Sequence, residues 1–101
     1  MEIEFIGRDL RALCNSKAAL VQRWGPERGA LIAQRLAELH ALDRMSDLEH
    51  LAHIEVEEGA DGTAVYAGAD VAIIAESKGS GRRPAQEKLT VLAVEERGEK
   101  H

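Results

Sequence analysis

The stretch from His53 to Ala75, HIEVEEGADGTAVYAGADVAIIA, decides the fold class of this 101-residue chain. Its apolar and polar residues alternate with a period of two, which is typical of half-buried β-strands. Two glycine-containing segments interrupt the alternation and predict turns. We therefore expect three strands, at residues 53–57, 63–67 and 71–75. The last strand is apolar throughout, so we expect it in the centre of the sheet.

Towards the N-terminus the apolar residues recur every three or four positions, which predicts helices. One helix is expected at 8–23, with an apolar stripe formed by Leu10, Leu13, Cys14, Ala18, Val21 and Trp24. Gly25 and Pro26 end it, and because proline is favoured at the first helical position, a second helix is expected at 26–42. The stripe of that helix is Ile32, Leu36, Leu39 and Leu42. The short break between them predicts a helical hairpin.

The remaining segments complete an α+β fold. Glu2–Ile6 alternates and predicts a first strand, and residues 89–95 predict the last one. Ser46 is expected to cap a short turn at 47–51, whereas residues 77–88 lack periodicity and predict a flexible loop. The expected architecture is a single domain, residues 1–101. It has an N-terminal strand, a helical hairpin, and then three or four antiparallel strands in one sheet with the helices on one face.

Composition excludes several functional classes. The three aromatic residues, Phe5, Trp24 and Tyr66, are too few for a protein that stacks bases on aromatic platforms. No apolar run reaches the roughly 20 residues of a membrane span, and the N-terminus has no signal-peptide pattern. The single cysteine, Cys14, cannot form an internal disulfide. We therefore expect a cytoplasmic location without a membrane partner.

Charge is distributed unevenly along the chain. Residues 1–44 hold seven Lys and Arg against six Asp and Glu, and residues 78–101 hold six against four. Residues 45–77 hold eight acidic residues and no Lys or Arg. This acidic block should repel phosphate and attract a basic partner.

Two groups of residues are candidates for chemistry or RNA contact. Glu99, Lys100 and His101 form the best catalytic set, because an imidazole titrates near neutrality and can carry protons; the alternative is a solvated terminus. Four basic residues are candidate RNA contacts: Lys78, Arg82, Arg83 and Lys88. Glycines among them would let the segment follow a phosphate backbone, and the alternative is a solubilising loop.

Metal binding and thiol chemistry are not expected. His50 and His53 have the spacing of a metal-binding pair, with His40 and Glu49 near them in sequence. However, His50 lies in the predicted turn and His53 begins a strand, so the two share no clear face. We expect no metal and no other cofactor. Cys14 lies on an apolar stripe and is expected to be an unreactive, buried thiol.

Five motifs follow one another over nearly the full length of the chain. They are MEIEF at 1–5, LRALC at 10–14, QRLAEL at 34–39, SDLEHL at 46–51 and the closing VLAVEERGEKH at 91–101. In order and spacing this set resembles the killer-protein (HigB-like) branch of the RelE/ParE toxin superfamily. The resemblance implies a small toxin-type fold and a metal-independent mRNA endonuclease that acts on the ribosome. It also implies neutralisation by a partner antitoxin protein.

The reaction implied by the resemblance is attack of a 2′-hydroxyl on the neighbouring phosphodiester. It needs groups that move protons and cations that stabilise the charge on the phosphorane. The resemblance places these roles on His101, Lys100 and Glu99, and on His53 at the start of the first middle strand. The basic residues at 78–88 would then contact RNA.

At the C-terminus His101 matches the family's closing His, but Glu99 and Lys100 stand where the family has Asp and Tyr. Two further positions depart from the family pattern by losing a cation. The family's Lys after the first middle strand falls near Glu58, and its strand Arg falls at Ala72. One lost charge-stabilising donor costs about 3–4 kcal/mol of transition-state stabilisation, so we expect a degenerate nuclease site. The alternative is a catalytically inactive protein-binding module of the same fold, with the acidic block as its interaction surface.

Overall fold

The computed structural model describes residues 2–42, 47, 54–60, 62–68, 70–80 and 87–97, with backbone alone for residues 78–80 and 87. The helices and strands are β1 (Glu2–Phe5), α1 (Arg8–Cys14), α2 (Lys17–Trp24), α3 (Pro26–Ala41), β2 (Val56–Gly59), β3 (Gly62–Tyr66), β4 (Val71–Ser80) and β5 (Glu87–Glu96). The predicted α+β class, with helices packed on one face of one sheet, is confirmed.

The five strands form one mixed sheet in the order β1-β5-β4-β3-β2. Neighbouring strands from β2 to β5 are antiparallel, and β4 is central, as its apolar run predicts. β1 departs from the expected antiparallel sheet, because it pairs with β5 in parallel. The chain between these two strands runs through the three helices and β2 to β4, and it provides the long connection that a parallel pairing requires.

Several strand boundaries differ from the predicted ones. The first middle strand is β2, Val56–Gly59, and so begins later than residue 53. β4 continues to Ser80 and β5 already begins at Glu87, so residues 77–80 and 87–88 are strand residues and not loop. Backbone pairing such as Ser77 with Leu89 extends these strands without any hydrophobic pattern. Residues 81–86 and most of the predicted turn at 47–51 lie outside the described residues.

The predicted helix at 8–23 is two helices. α1 ends at Cys14 and α2 begins at Lys17. Ser16 adopts an extended conformation at the N-cap of α2, and its hydroxyl accepts a hydrogen bond from the backbone N–H of Ala19 at 3.1 Å. Serine is among the preferred N-cap residues for this reason. A single continuous helix was therefore the wrong prediction for this segment.

This break changes which residues of α2 are buried. Leu20 is fully buried, whereas Val21 is half-buried and Ala18 is exposed. Ile32, Leu36 and Leu39 of α3 are buried as predicted. Leu10 and Leu13 pack against this core only partly buried. The helix-facing side of the sheet contributes Val65, Val71, Ile73, Leu89 and Val91.

Two arginines of α3 attach the helix to the sheet. Arg35 is 7% exposed, and its Nε donates a hydrogen bond to the carbonyl oxygen of Tyr66 at 3.0 Å. Its guanidinium also forms an ion pair with Glu38. At the other end of the helix, Arg28 forms an ion pair with Asp70, which precedes β4. These contacts fix α3 over the β3–β4 end of the sheet.

A close approach between α2 and α3 gives a testable prediction. A Cβ atom added at Gly29 would lie 2.6 Å from both the Cα and the N of Val21. Gly29→Ala should therefore lower the free energy of unfolding by about 1–3 kcal/mol through overpacking, although alanine has the higher helix propensity. Gly59→Ala is the matched control, because its Cβ would meet only the Gly62 oxygen at 3.6 Å. Equal stability of the two variants in urea unfolding would contradict the prediction.

None of the helices in the described part of the chain is long and apolar enough to cross a membrane.

Candidate functional site

Most of the residues singled out by the sequence lie outside the described residues. These are Glu99, Lys100, His101, His53, Arg82 and Arg83, together with His50 and Glu49. Their roles therefore stay predictions. Lys78 is described by its backbone alone, within β4, and Lys88 is described completely, within β5.

Lys88 is engaged by the sheet itself. Its Nζ lies 2.8 Å from a carboxylate oxygen of Glu4 on the neighbouring strand β1. Its predicted location in a flexible loop is wrong, because residue 88 pairs in register with Glu2. As an RNA contact, Lys88 would have to exchange the carboxylate of Glu4 for a phosphate.

The sheet has a second, smaller apolar cluster on the face opposite the helices, which we call the far face. Ala64, Tyr66, Ala72 and Ile74 are buried there, and Leu92 and Ala93 pack against them. These residues alternate along β3 and β4 with residues of the helix-facing core, such as Val65 and Ile73. The cluster forms the apolar floor of the far face.

Arg97 lies across this floor. Its guanidinium is 3.2 Å from the carboxylate of Glu95 on β5 and 3.8 Å from that of Glu57 on β2. Because β5 and β2 are separated by β4 and β3, and strands lie about 4.8 Å apart, the side chains of Arg97 and Glu57 must reach towards each other to span the two intervening strands. A backbone hydrogen bond fixes the position of Arg97. Its N–H donates to the backbone carbonyl oxygen of Asp70 at 2.7 Å.

The charge of the far face is dominated by carboxylates. Strand register places Glu2, Glu4, Glu57, Glu76 and Glu95 on it, opposed among the described side chains by Lys88 and Arg97. Both basic side chains are within ion-pair distance of these carboxylates. The described part of this face can therefore bind a cationic group. To bind a phosphate, its described basic side chains would have to give up their carboxylate partners.

The two positions that lose a cation of the family pattern have different environments. Ala72 is fully buried in the centre of the far face, opposite Tyr66 on one side and Glu95 on the other. Glu58 is exposed on the edge strand β2. A cation could replace Glu58 without disturbing the fold, whereas the packing around Ala72 leaves no space for one.

The sequence analysis did not identify Glu57, Glu95 and Arg97 as a cluster. Their positions are far apart in sequence, and neither charge nor periodicity shows that β2 and β5 share the far face. A partial signal was present, since Glu95 and Arg97 are two residues apart and so fall on one side of a strand. The missing information is the strand order.

A cleft lies at the β1 edge of the sheet, between β1 and the helices. We call it the edge cleft. Its volume is about 400 Å³, and it is lined by Ile3, Phe5, Cys14, Asn15, Ala33, Leu36, Ala37 and His40. Most of these side chains are apolar. A second, more polar depression shares Ile3, Phe5 and Asn15 with it and adds Glu4 and Arg11. The cleft suits apolar groups better than phosphates.

Cys14 lines the edge cleft but is not suited to nucleophilic chemistry. Burial raises the pKa of its thiol to about 11, from an ordinary value of 9.0. The thiol is therefore protonated at neutral pH, and the nucleophile is the thiolate. Cys14 is half-buried and not fully buried as expected, and its low reactivity stays a prediction. Because the unfolded chain releases this proton at lower pH than the folded chain, the stability contribution of Cys14 is lost as the pH rises from 9 towards 11.

Slow alkylation of Cys14 is the measurable consequence. At pH 8 the native protein should react with iodoacetamide about tenfold more slowly than the urea-unfolded protein, since the lower thiolate fraction outweighs the higher nucleophilicity of a more basic thiolate. Mass spectrometry of timed aliquots gives both rates. A native rate equal to the unfolded rate would show that Cys14 is exposed and ordinary.

Within the described ranges, no group of three or more His, Cys, Asp and Glu side chains could hold a metal ion. In comparisons with known proteins, no family model, no curated protein and no solved structure matches this chain.

Proposed function

We propose that this protein is the toxin component of a type II toxin–antitoxin pair, similar to the HigB-like ribosome-dependent mRNA endonucleases, with a degenerate basic site. It would act in the cytoplasm and bind an antitoxin protein. The order and spacing of the five motifs support the proposal. The fold is compatible with it, since a first strand, paired helices and an antiparallel strand series follow in the order that the resemblance implies.

The proposed chemistry rests on the C-terminal residues. His101 would carry the proton, and Lys100 would approach the phosphate, with Glu99 and His53 as supporting groups. Arg82, Arg83, Lys78 and Lys88 would bind the RNA backbone. The carboxylates of the far face would oppose the RNA at every encounter. We therefore expect weak cleavage even when the protein is bound to a ribosome.

A second candidate function is favoured by the geometry of Arg97. An arginine held between Glu57 and Glu95 is a structural element of an acidic surface and not a phosphate ligand. The protein would then be a catalytically inactive module of the same fold that binds a basic protein partner. The acidic block of residues 45–77 would supply most of the attraction.

Induced expression in a bacterial host separates the two candidates. Growth is followed for the wild type and His101→Ala, and mRNA cleavage is mapped on translating ribosomes. The nuclease proposal expects slowed growth, weak cleavage and loss of both effects in His101→Ala. His101→Ala should retain the thermal midpoint of the wild type, because a terminal residue contributes little to packing. A wild type that neither slows growth nor cleaves mRNA would reject the nuclease and favour the binding module.

A further inference from the structure

Within the described part of the chain, no strand pairs with the outer edge of β1. β1 is an edge strand whose described neighbour is β5. The N–H of Ile6 donates to the Val91 oxygen at 2.9 Å, and in a parallel ladder every second residue faces the same neighbour. The backbone groups of Glu2 and Glu4 therefore face β5. Those of Ile3 and Phe5 point away from the sheet and are available to an added strand.

The edge cleft lies directly beside these outward groups. The side chains of Ile3 and Phe5 lie on the helix-facing side and line the cleft together with Ala33, Leu36 and Ala37. In a sheet, residues of an added strand lie beside those of its neighbour on the same face. Apolar residues at alternate positions of an added strand would therefore enter the cleft beneath α3.

The part of β1 that lies on the far face determines which charge an added strand should carry. Both strand residues on that face, Glu2 and Glu4, are acidic. Glu4 is already paired with Lys88 on the β5 side and has Arg11 beside it in the polar depression, so an added strand on the outer side would meet mainly the carboxylate of Glu2. Basic residues there would form favourable cross-strand pairs, whereas a second copy of β1 would place glutamate against glutamate. Charge complementarity thus favours a basic partner over self-association.

We propose that the outer edge of β1, together with the edge cleft, binds an extended segment of a partner protein in which basic and apolar residues alternate. The segment would add a sixth strand to the five-stranded sheet. Main-chain hydrogen bonds would supply affinity and the alternating side chains specificity, as in other cases of strand addition. The proposal rests on the first of the two candidate functions, the toxin that binds an antitoxin, and it places the docking site of that partner on β1, outside the acidic block of residues 45–77.

The test uses a synthetic nine-residue peptide of alternating lysine and valine and an isotope-labelled full chain. Binding should slow amide exchange at Ile3 and Phe5 by at least about tenfold, while the amide of Glu4, already bonded within the sheet, changes little. A peptide of the same composition with its lysines and valines in separate blocks should bind at least about tenfold more weakly. So should a peptide that is N-methylated at consecutive residues, because both of its edges are then blocked.

Three variants locate the site. Glu2→Lys should weaken binding by reversing a charge, and Ala37→Trp should weaken it by filling the cleft from an exposed position of α3. Glu58→Lys, the same reversal on the other edge strand, should leave affinity unchanged within about twofold. Binding is compared only among variants that have the same thermal midpoint as the wild type. A variant with a lowered midpoint is replaced by its milder form, Glu2→Gln or Ala37→Leu.

Three results would overturn the docking proposal. One is unchanged exchange at Ile3 and Phe5. Another is equal weakening by Glu2→Lys and Glu58→Lys, which would indicate diffuse charge attraction. The third is concentration-dependent dimerisation through β1 in sedimentation, which would identify a second copy as the occupant. If Glu2→Lys and Ala37→Trp still co-purify with the product of the neighbouring gene at wild-type yield, the docking site is wrong and the proposed function is retained.

Discussion

Leu39→Ala is expected to lower the free energy of unfolding by about 2–5 kcal/mol. Leu39 is fully buried on α3, within the cluster that joins the helices to β3, β4 and β5. Its truncation removes apolar contacts and leaves a cavity, because surrounding side chains relax only partly. Urea unfolding monitored by circular dichroism measures the change, since a single small domain unfolds as one unit.

Leu31→Ala is the matched control for this change. It removes the same atoms from the same helix, but Leu31 is 37% exposed. The expected loss is below about 1 kcal/mol, because the site opens to water and leaves no closed cavity. Similar losses in the two variants would mean that the orientation of α3 is wrong.

Ala72→Arg is expected to be at least as disruptive, at about 3–5 kcal/mol. Ala72 has no exposed surface and lies in the central strand between Tyr66 and Glu95. An arginine there must displace the far-face cluster and bring a second guanidinium beneath Arg97. Introducing a basic residue at this position therefore destabilises the fold.

Glu58→Lys is the control for Ala72→Arg, because it adds a basic side chain without disturbing the packing of the far face. Glu58 is exposed on β2, so its reversal should change stability by no more than about 0.5 kcal/mol. A stable Ala72→Arg protein would show that the far face tolerates a cation and would contradict the expected disruption.

Hydrophobic periodicity predicts most of this fold, because it reports the burial of each segment. It correctly placed α3, the central position of β4, and the buried residues Ile32, Leu36 and Leu39. It failed where a local polar contact decides the structure. The hydroxyl of Ser16 caps α2, breaks the predicted helix and brings Leu20 into the core in place of Val21.

The candidate site was less predictable, because it depends on strand order. The parallel pairing of β1 with β5 creates an edge beside α1 and α3, and no local pattern reports which strand becomes an edge. In the same way, Arg97 meets Glu57 only because β5 and β2 flank two intervening strands. The extension of β4 to Ser80 arises from backbone pairing, which leaves no hydrophobic pattern.

Co-purification with the product of the adjacent reading frame tests the central claim, that this protein is the partner-bound component of a toxin–antitoxin pair. The tagged full chain is expressed together with that product and captured at low salt, and the complex is then washed at increasing ionic strength. We expect a complex that weakens as salt rises, because an acidic surface facing a basic partner is screened by ions. Absence of any complex at low salt would contradict the account, and a complex indifferent to salt would contradict its electrostatic basis.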